Sequence, residues 1–349
     1  MSEYCVAVVG ATGAVGSRMI KMLEESTLPI KKIKYLASKR SAGKVLQFKG
    51  QDITVEELVA ESFEDVDLAL FSAGGSISKQ FAKEAVKRGA VVVDNTSAFR
   101  MQAGIPLVVP EVNEHALFNH QGLIANPNCS TIQMVVALEP LRKLYGLKKI
   151  VVTTLQAVSG AGNRAIQELE TQTQAVLNDQ PVNPTILPVA SDQKHYQIAF
   201  NPLPQIDVFE EDGYTHEEWK MINETKKIME DQKLEVTATC IRVPVAVGHS
   251  ESVWFELNET GVTVDKIKEI LATAPGIKLE DDPAKQIYPQ PINAAGKKET
   301  FVGRIRPDQD NPKAFHLYCV ADNLLKGAAW NSVQIAERLH ALNLLRVPK

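Results

Sequence analysis

The chain has 349 residues, 44% of them hydrophobic and 23% charged, with a formal net charge of -4. That length exceeds what one core usually fills, so two domains are expected, and the mildly acidic balance gives no general reason to expect nucleic acid or an anionic membrane as partner. Cysteines at 5, 129, 240 and 319 form neither a CxxC pair nor a dense framework, which fits free thiols in a reducing cytoplasm and leaves no metal expected.

From the amino terminus, Tyr4 to Val9 is a nearly continuous apolar run that stops at Gly10, after which Val15, Met19 and Leu23 recur at four-residue spacing. This reads as strand, tight turn and helix. The turn, Gly10-Ala11-Thr12-Gly13-Ala14-Val15-Gly16, is small enough for backbone to approach a pyrophosphate, which the helix N-terminus would then stabilise. Gly10, Thr12, Gly13, Ala14 and Val15 are the candidate cofactor contacts. A tight turn without ligand is the plainer reading of the same glycines. The spacing is GxxGxxG rather than GxGxxG and resembles a variant found in several NADP-dependent families. After the second apolar run, Ile33 to Ala37, stand Ser38, Lys39, Arg40 and Ser41. An NAD binder usually has an acidic residue there for the ribose hydroxyl, whereas these cations and hydroxyls suit a 2'-phosphate. NADP is the expected cofactor, against the alternative of an ordinary solvated loop.

Further apolar runs at Val66 to Phe71, Val91 to Val93, Leu107 to Val109 and Leu123 to Ala125 alternate with helical or turn-rich segments such as Ser76 to Arg88. Strands buried on both faces and alternating with helices imply a Rossmann-like, doubly wound parallel sheet, which keeps its binding crevice at the carboxyl ends of its strands. The last run leads into Asn126-Pro127-Asn128-Cys129-Ser130-Thr131. Ile132, Val135, Val136, Leu138, Leu141 and Leu144 then follow at helical spacing up to Gly146, which places Cys129 in the first turn of a helix. There the unpaired amides and the dipole favour a thiolate, the form of the side chain that attacks electrophiles. The plainer reading is a small buried hydrophobe.

Beyond Tyr145 the pattern changes to longer strands with polar interruptions, at Ile150 to Val158, Val236 to Val245 and Ser252 to Asn258, with a helix from about Val264 to Ala272. A mostly antiparallel sheet in a second, α+β catalytic and dimerisation domain is expected, residues 129–322. The first domain, 1–128, would be completed by residues 323–349, which include a terminal helix with Trp330, Val333, Ala336 and Leu339 on one face. Between the second domain's first two strands lie helices near Asn163 to Asn178 and Thr215 to Glu230 and a proline-dotted stretch from Pro181 to Pro204. So long an excursion suggests a lid or a subunit contact. No apolar run approaches the roughly 20 residues that span a bilayer.

A cysteine acyl-transfer site needs a base, a substrate anchor and an exit for the leaving group. Arg242, alone in an apolar strand, and His249, just after it, are candidates, although singly they read as a strand-edge charge and a loop histidine. Together with NPNCST they form a rarer set. The stretches GATGAVG at 10–16, NTSAFR at 95–100, NPNCST at 126–131, LQAVSGAG at 155–162, EEWK at 217–220, RVPVAVGHS at 242–250 and DNLLKGAAWN at 322–331 closely resemble the aspartate-semialdehyde dehydrogenase family, in that family's order and across nearly the whole chain. Residues 163–214 match loosely.

The resemblance implies Cys129 as nucleophile, His249 as acid/base, Gln156 as the residue orienting substrate and Arg242 as the partner of its α-carboxylate. A guanidinium can hold a carboxylate with two parallel hydrogen bonds. It further implies Glu217 on the substrate amine, with Glu218 as competitor, a phosphate site of Arg100, Asn128 and Lys220, and Ser159, Gly160 and Asn323 around the nicotinamide half of the cofactor. The implied substrates are 4-phospho-L-aspartate, or L-aspartate 4-semialdehyde with phosphate, and the implied assembly is a homodimer. An N-acetyl-glutamyl-phosphate reductase would share the cysteine logic, but its acylated amine has no charge for Glu217 to meet. A cofactor-free cysteine acyltransferase would leave the glycine turn without a use.

Overall fold

The computed structural model describes residues 3–347. Two compact units emerge: the described residues up to Asn128 together with those from Ala328 onward, and Cys129–Gly327. Residues 323–327, which the sequence assigns to the first domain, cluster with the second.

In the first unit, strands β1 (Tyr4–Val9), β2 (Ile30–Ala37), β3 (Val45–Phe48), β4 (Gln51–Glu57), β5 (Leu68–Phe71), β6 (Val91–Asp94) and β7 (Leu123–Ala125) form a seven-stranded sheet in the order β3-β4-β2-β1-β5-β6-β7. Helices α1 (Ala14–Glu24) and α2 (Gly75–Lys87) and the short α3 (Pro110–Asn113) accompany it. Every pairing is parallel except β3 with β4. The chain passes from β1 to β2 on one side and later crosses from β4 to β5 on the other side of β1, and such a switch point is where doubly wound sheets hold ligands. The carboxyl-terminal helix, Trp330–Ala341, packs on α1, α3, β5 and β6.

Two expectations for this sheet need correction. Leu107 to Val109 is not a strand but makes a single bridge, Leu107 to Ala125, because Pro106 and Pro110 bracket it and neither can donate to a ladder. The β3–β4 hairpin was not anticipated. Its turn, Lys49-Gly50, has positive φ at both residues, 48° and 79°, the geometry that matches the twist of a two-residue hairpin.

The second unit comprises α4 (Cys129–Tyr145), β8 (Leu147–Gln156), α5 (Asn163–Leu177), α6 (His216–Ile228), β9 (Glu235–Arg242), β10 (His249–Leu257), α7 (Val264–Thr273), β11 (Ile277–Leu279), α8 (Pro291–Ala294), β12 (Thr300–Pro307) and β13 (Ala314–Ala321). Six strands run in the order β11-β12-β13-β10-β8-β9. The central pairings are antiparallel, and both edges, β11 with β12 and β8 with β9, are parallel. Residues 130–139 of α4 are all buried, as a helix enclosed on every side must be, and it packs on β8, β10, β12, β13, α6 and α7.

Strands β11, β12 and β13 had no counterpart in the sequence reading. Nor did the reading place the start of β10 at His249 rather than Ser252, a shift that makes His249 a strand residue with a fixed direction. The excursion after α5 is no loose linker: Leu169 of α5 packs with Ile186, Leu187, Ile198, Ala199 and Leu203 in a small core of their own.

Candidate active site

Strand pairing gathers the chemistry of the second unit at one end of its sheet. In the parallel β8–β9 register Gln156 lies opposite Arg242, and both are the last residues of their strands. Strand β10 runs the other way, so its first residue, His249, arrives at the same end, with Ser250 opposite Leu155. Period-two alternation buries Ile150, Val152, Thr154 and Gln156 on one face of β8, and the same alternation buries Ala238, Cys240 and Arg242 on β9. Burial of a glutamine and an arginine at the ends of otherwise apolar rows asks for partners, and both have them.

Arg242 is 4% exposed; its Nη1 donates to the carbonyl of Ala157 at 2.8 Å, while its Nε has no partner among the described residues. Burial opposes its charge, and the fields of Glu217, Cys129, Cys240 and Asp207 act to retain it. Glu217 Oε1 accepts from Gln156 Nε2 at 3.2 Å, and its Oε2 accepts from Lys220 Nζ at 3.1 Å. Burial disfavours the Lys220 ammonium, but Glu217 and Asp207 outweigh that and raise its pKa. Glu218 is occupied elsewhere. It closes a capping box with Thr215 and accepts from the Cys240 amide at 3.0 Å, so of the two glutamates only Glu217 faces Gln156 and Lys220.

His249 is fully buried. Its Nδ1 lies 3.0 Å from the amide nitrogen of Ala157, and since an amide can only donate, Nδ1 carries the lone pair and the neutral ring carries its proton on Nε2. That Nε2 has no partner among the described residues. Burial, with Arg242 adding to it, lowers the pKa of His249 from 6.5 to about 3. The ring is thus set up to donate from Nε2, a restriction on the acid/base role the resemblance implies that sequence could not show.

Cys129 opens α4 with its side chain partly exposed. Gly327 lies so close that a Cβ there would stand 2.7 Å from Cys129 Cβ. Asn323 Oδ1 accepts from the Gly248 amide at 2.9 Å and from Ser159 Oγ at 3.1 Å, which ties the turn before His249 to the turn after β8. A Cβ at Gly160 would lie 2.8 Å from Arg242 Nη1 and 3.4 Å from the His249 ring.

In the first unit, the glycine turn is tight enough that a Cβ on Gly16 would lie 2.1 Å from the Gly10 carbonyl oxygen. Helix α1 starts after Gly13 without a side-chain cap, so no side chain takes up the first-turn amides next to Ala14 and Val15. Thr12 Oγ1 lies 3.5 Å from Ser41 Oγ, and Ser38, Lys39 and Arg40 are exposed just beyond β2. Arg100 Nε donates to the Asn126 carbonyl at 2.9 Å and its Nη2 to that of Asn95 at 3.0 Å. Asn128 is 6% exposed. Arg100 and Asn128 belong to the first unit and Lys220 to the second.

Residues 5–120 match the family model for the semialdehyde dehydrogenase NAD binding domain, and residues 138–326 match that for the semialdehyde dehydrogenase dimerisation domain. The aspartate-semialdehyde dehydrogenase of Bacillus subtilis (strain 168) is 62% identical over 340 residues, 97% of this chain and 98% of that protein. The chain belongs to the aspartate-semialdehyde dehydrogenase family. Among solved structures of that family, aspartate semialdehyde dehydrogenase II from Vibrio cholerae, complexed with ASA, superposes with a TM-score of 0.92 at 43% identity, over 98% of this chain and 99% of that one. The Candida albicans enzyme with NADP gives a TM-score of 0.75 at 26% identity, over 98% of this chain and 100% of that one.

One part of this cluster had no sequence signal. Gln133, one turn into α4 from Cys129, donates from Nε2 to the carbonyl of His249 at 3.3 Å. Beneath it Cys319 Sγ donates to Glu251 Oε2 at 3.3 Å, and burial pushes the fully enclosed Glu251 well above the usual carboxylate range. Burial thus disfavours the charged form of a carboxyl two residues beyond His249 on the same strand. Helical periodicity alone makes Gln133 one more residue of a buried helix. Only β10 and β13 pairing, Glu251 to Cys319, discloses its partners.

The depressed His249 pKa has a testable stability signature. Between about 6.5 and about 3 the unfolded histidine binds a proton that the folded one does not, so its contribution is complete above about pH 6.5 and is lost as pH falls, at up to about 1.4 kcal/mol per pH unit. Melting curves of the native chain and of His249→Gln should diverge in this sense below pH 6.5. Parallel pH dependence would show that the ring accepts its proton in the fold.

Proposed function

We propose that the chain catalyses the reversible, NADPH-dependent reductive dephosphorylation of 4-phospho-L-aspartate to L-aspartate 4-semialdehyde and phosphate through a thioester on Cys129. That reaction belongs to the biosynthesis of lysine, by way of diaminopimelate, and of methionine, threonine and isoleucine. The observation that carries it is the convergence of Gln156, Arg242 and His249 at one sheet end with Glu217 beside them. A buried cation and a buried anion held this close suit a zwitterionic substrate: the α-carboxylate on Arg242, the ammonium on Glu217 and the reacting end between Cys129 and His249.

In the forward direction the Cys129 sulfur attacks the acyl carbon, phosphate departs, and the aspartyl group stays as a thioester. Phosphate is assigned to Arg100, Asn128 and Lys220. Each tetrahedral stage carries an oxyanion, and backbone N–H donors at the start of α4, each worth roughly 3 to 4 kcal/mol, stabilise it. His249, neutral with its proton on Nε2, donates a hydrogen bond from Nε2–H to the oxygen or sulfur that bears charge and keeps that proton throughout. Gln156 holds Glu217 toward the amine.

The glycine turn and the uncapped start of α1 fit a dinucleotide pyrophosphate, while Ser38, Arg40 and Ser41, with Lys39, fit a 2'-phosphate; Ser159, Gly160 and Asn323 are assigned to the nicotinamide half. When bound, NADPH supplies hydride. Leu177 at the end of α5, and Phe200 and Phe209 in the excursion after it, are more than half exposed, which supports a homodimer built on this unit. Among the described residues no helix is long and apolar enough to cross a membrane, and the four cysteines are free thiols, which supports a reducing, cytoplasmic setting.

Oxidation of L-aspartate 4-semialdehyde, followed by nicotinamide absorbance, tests the reading. Steady turnover should require phosphate and prefer NADP to NAD, and replacing Lys39 and Arg40 by alanine should erode that preference. Steady turnover without phosphate would remove the acyl-phosphate chemistry, and a preference unchanged in the double variant would move 2'-phosphate recognition to other groups.

A further inference from the structure

Asp207 has no role in the chemistry above, yet it holds Lys220 more closely than Glu217 does: Lys220 Nζ lies 2.7 Å from Asp207 Oδ2 and 3.1 Å from Glu217 Oε2. The aspartate is built into place. Its φ of 69° puts it in the left-handed region, which aspartate tolerates better than most residues. Its Oδ1 accepts from the Val208 amide at 2.9 Å, and its carbonyl accepts from Gln205 Nε2 at 3.2 Å. Upstream, Leu203 is locked to Arg242 by reciprocal backbone hydrogen bonds of 2.8 and 2.9 Å. Downstream, His216 N bonds to the Val208 carbonyl at 2.9 Å, and helix α6 carries Glu217 and Lys220 from there. The chain thus delivers a carboxylate from beside Arg242 to the ammonium at the start of α6.

One ammonium between two carboxylates leaves a net charge of -1 on the trio of Asp207, Lys220 and Glu217. A phosphate dianion seeking Lys220 meets that surplus. It must share or displace Asp207, whose side chain is one-third exposed, rather than Glu217, which is 7% exposed and is also bound by Gln156.

We propose that Asp207 is a specificity-determining residue for phosphate: its carboxylate competes with inorganic phosphate for Lys220, holds the lysine when phosphate is absent, and sets a weak phosphate affinity. In the reductive direction phosphate is a product, and the competitor hastens its departure. In the oxidative direction the same contact raises the phosphate concentration needed. The inference rests on the assignment of Lys220 to phosphate. Because Lys220 and Asp207 are both partly exposed, solvent screens their contact, and the expected effect is about fivefold rather than orders of magnitude.

The test is the KM for inorganic phosphate in semialdehyde oxidation by the full-length chain. Asp207→Asn, which keeps the acceptor for Val208 and tolerates the left-handed backbone, should lower that KM about threefold to fivefold, a change in the opposite sense from a loss of binding. Asp207→Gly, at home at positive φ, should do the same. Damage to the fold would loosen phosphate binding rather than tighten it. Lys220→Ala should raise the phosphate KM and erase the effect of Asp207→Asn in the double variant. A phosphate KM that rises or stays put in both Asp207 variants, while Lys220→Ala raises it, overturns the competition and leaves Lys220 on phosphate. A phosphate KM unmoved by Lys220→Ala removes the phosphate assignment and this inference together.

Discussion

Replacing Cys129 by alanine should cut turnover by on the order of 10^4-fold or more, the scale on which loss of a covalent nucleophile acts, while dinucleotide binding persists. The two readouts separate because of where the sulfur sits. Cys129 opens α4 in the second unit, whereas the glycine turn and Ser38 to Ser41 lie in the first. Alanine keeps the Cβ that packs against Gly327, so the variant deletes the sulfur and little else. The helix start favours a thiolate by up to about 2 kcal/mol, and the charges of Arg242 and Cys129 favour one another. Neither helps once the sulfur is gone. Steady-state rates beside an NADPH binding titration check this, and turnover near the native rate with intact binding would remove covalent catalysis.

Arg242→Lys should lower kcat/KM for the semialdehyde by about 10^2- to 10^3-fold, chiefly through KM. In the structure Nη1 is committed to the Ala157 carbonyl and Nε is left without a protein partner. The planar guanidinium can keep the first bond and offer its remaining N–H groups to a carboxylate. A lysine ammonium has three donors but only one nitrogen, so a position that reaches the Ala157 carbonyl cannot also hold the carboxylate with two parallel hydrogen bonds, at a cost of a few kcal/mol. An efficiency within about threefold of native, on a scale where tenfold is 1.4 kcal/mol, would reject the carboxylate contact.

Much of this site is written in local sequence. The first strand, its glycine turn and α1 follow from one apolar run and one four-residue spacing, and the start of α4 at Cys129 follows from the periodicity of Ile132 to Leu144. Pro106 and Pro110 are equally visible, and their missing N–H groups argue against a ladder strand at Leu107 to Val109. Other features depend on distant pairing and are invisible locally. His249 reads as a loop histidine until β10 is paired with β8, and its proton position is fixed by an amide 92 residues earlier in the chain. Glu217 and Glu218 are indistinguishable by spacing, and the capping box with Thr215 separates them. Lys220 reads as a simple i,i+3 partner of Glu217. The competing contact with Asp207 emerges only when the loosely matching excursion folds back beside Arg242.

The most direct measurement is a burst experiment on the native chain mixed with L-aspartate 4-semialdehyde and NADP but no phosphate, followed by mass analysis of the peptide containing Cys129. One equivalent of NADPH per site should form rapidly and then stop, with a single aspartyl group on the Cys129 sulfur that added phosphate releases. Continued NADPH formation without phosphate, or a full burst that leaves Cys129 unmodified, would contradict the account.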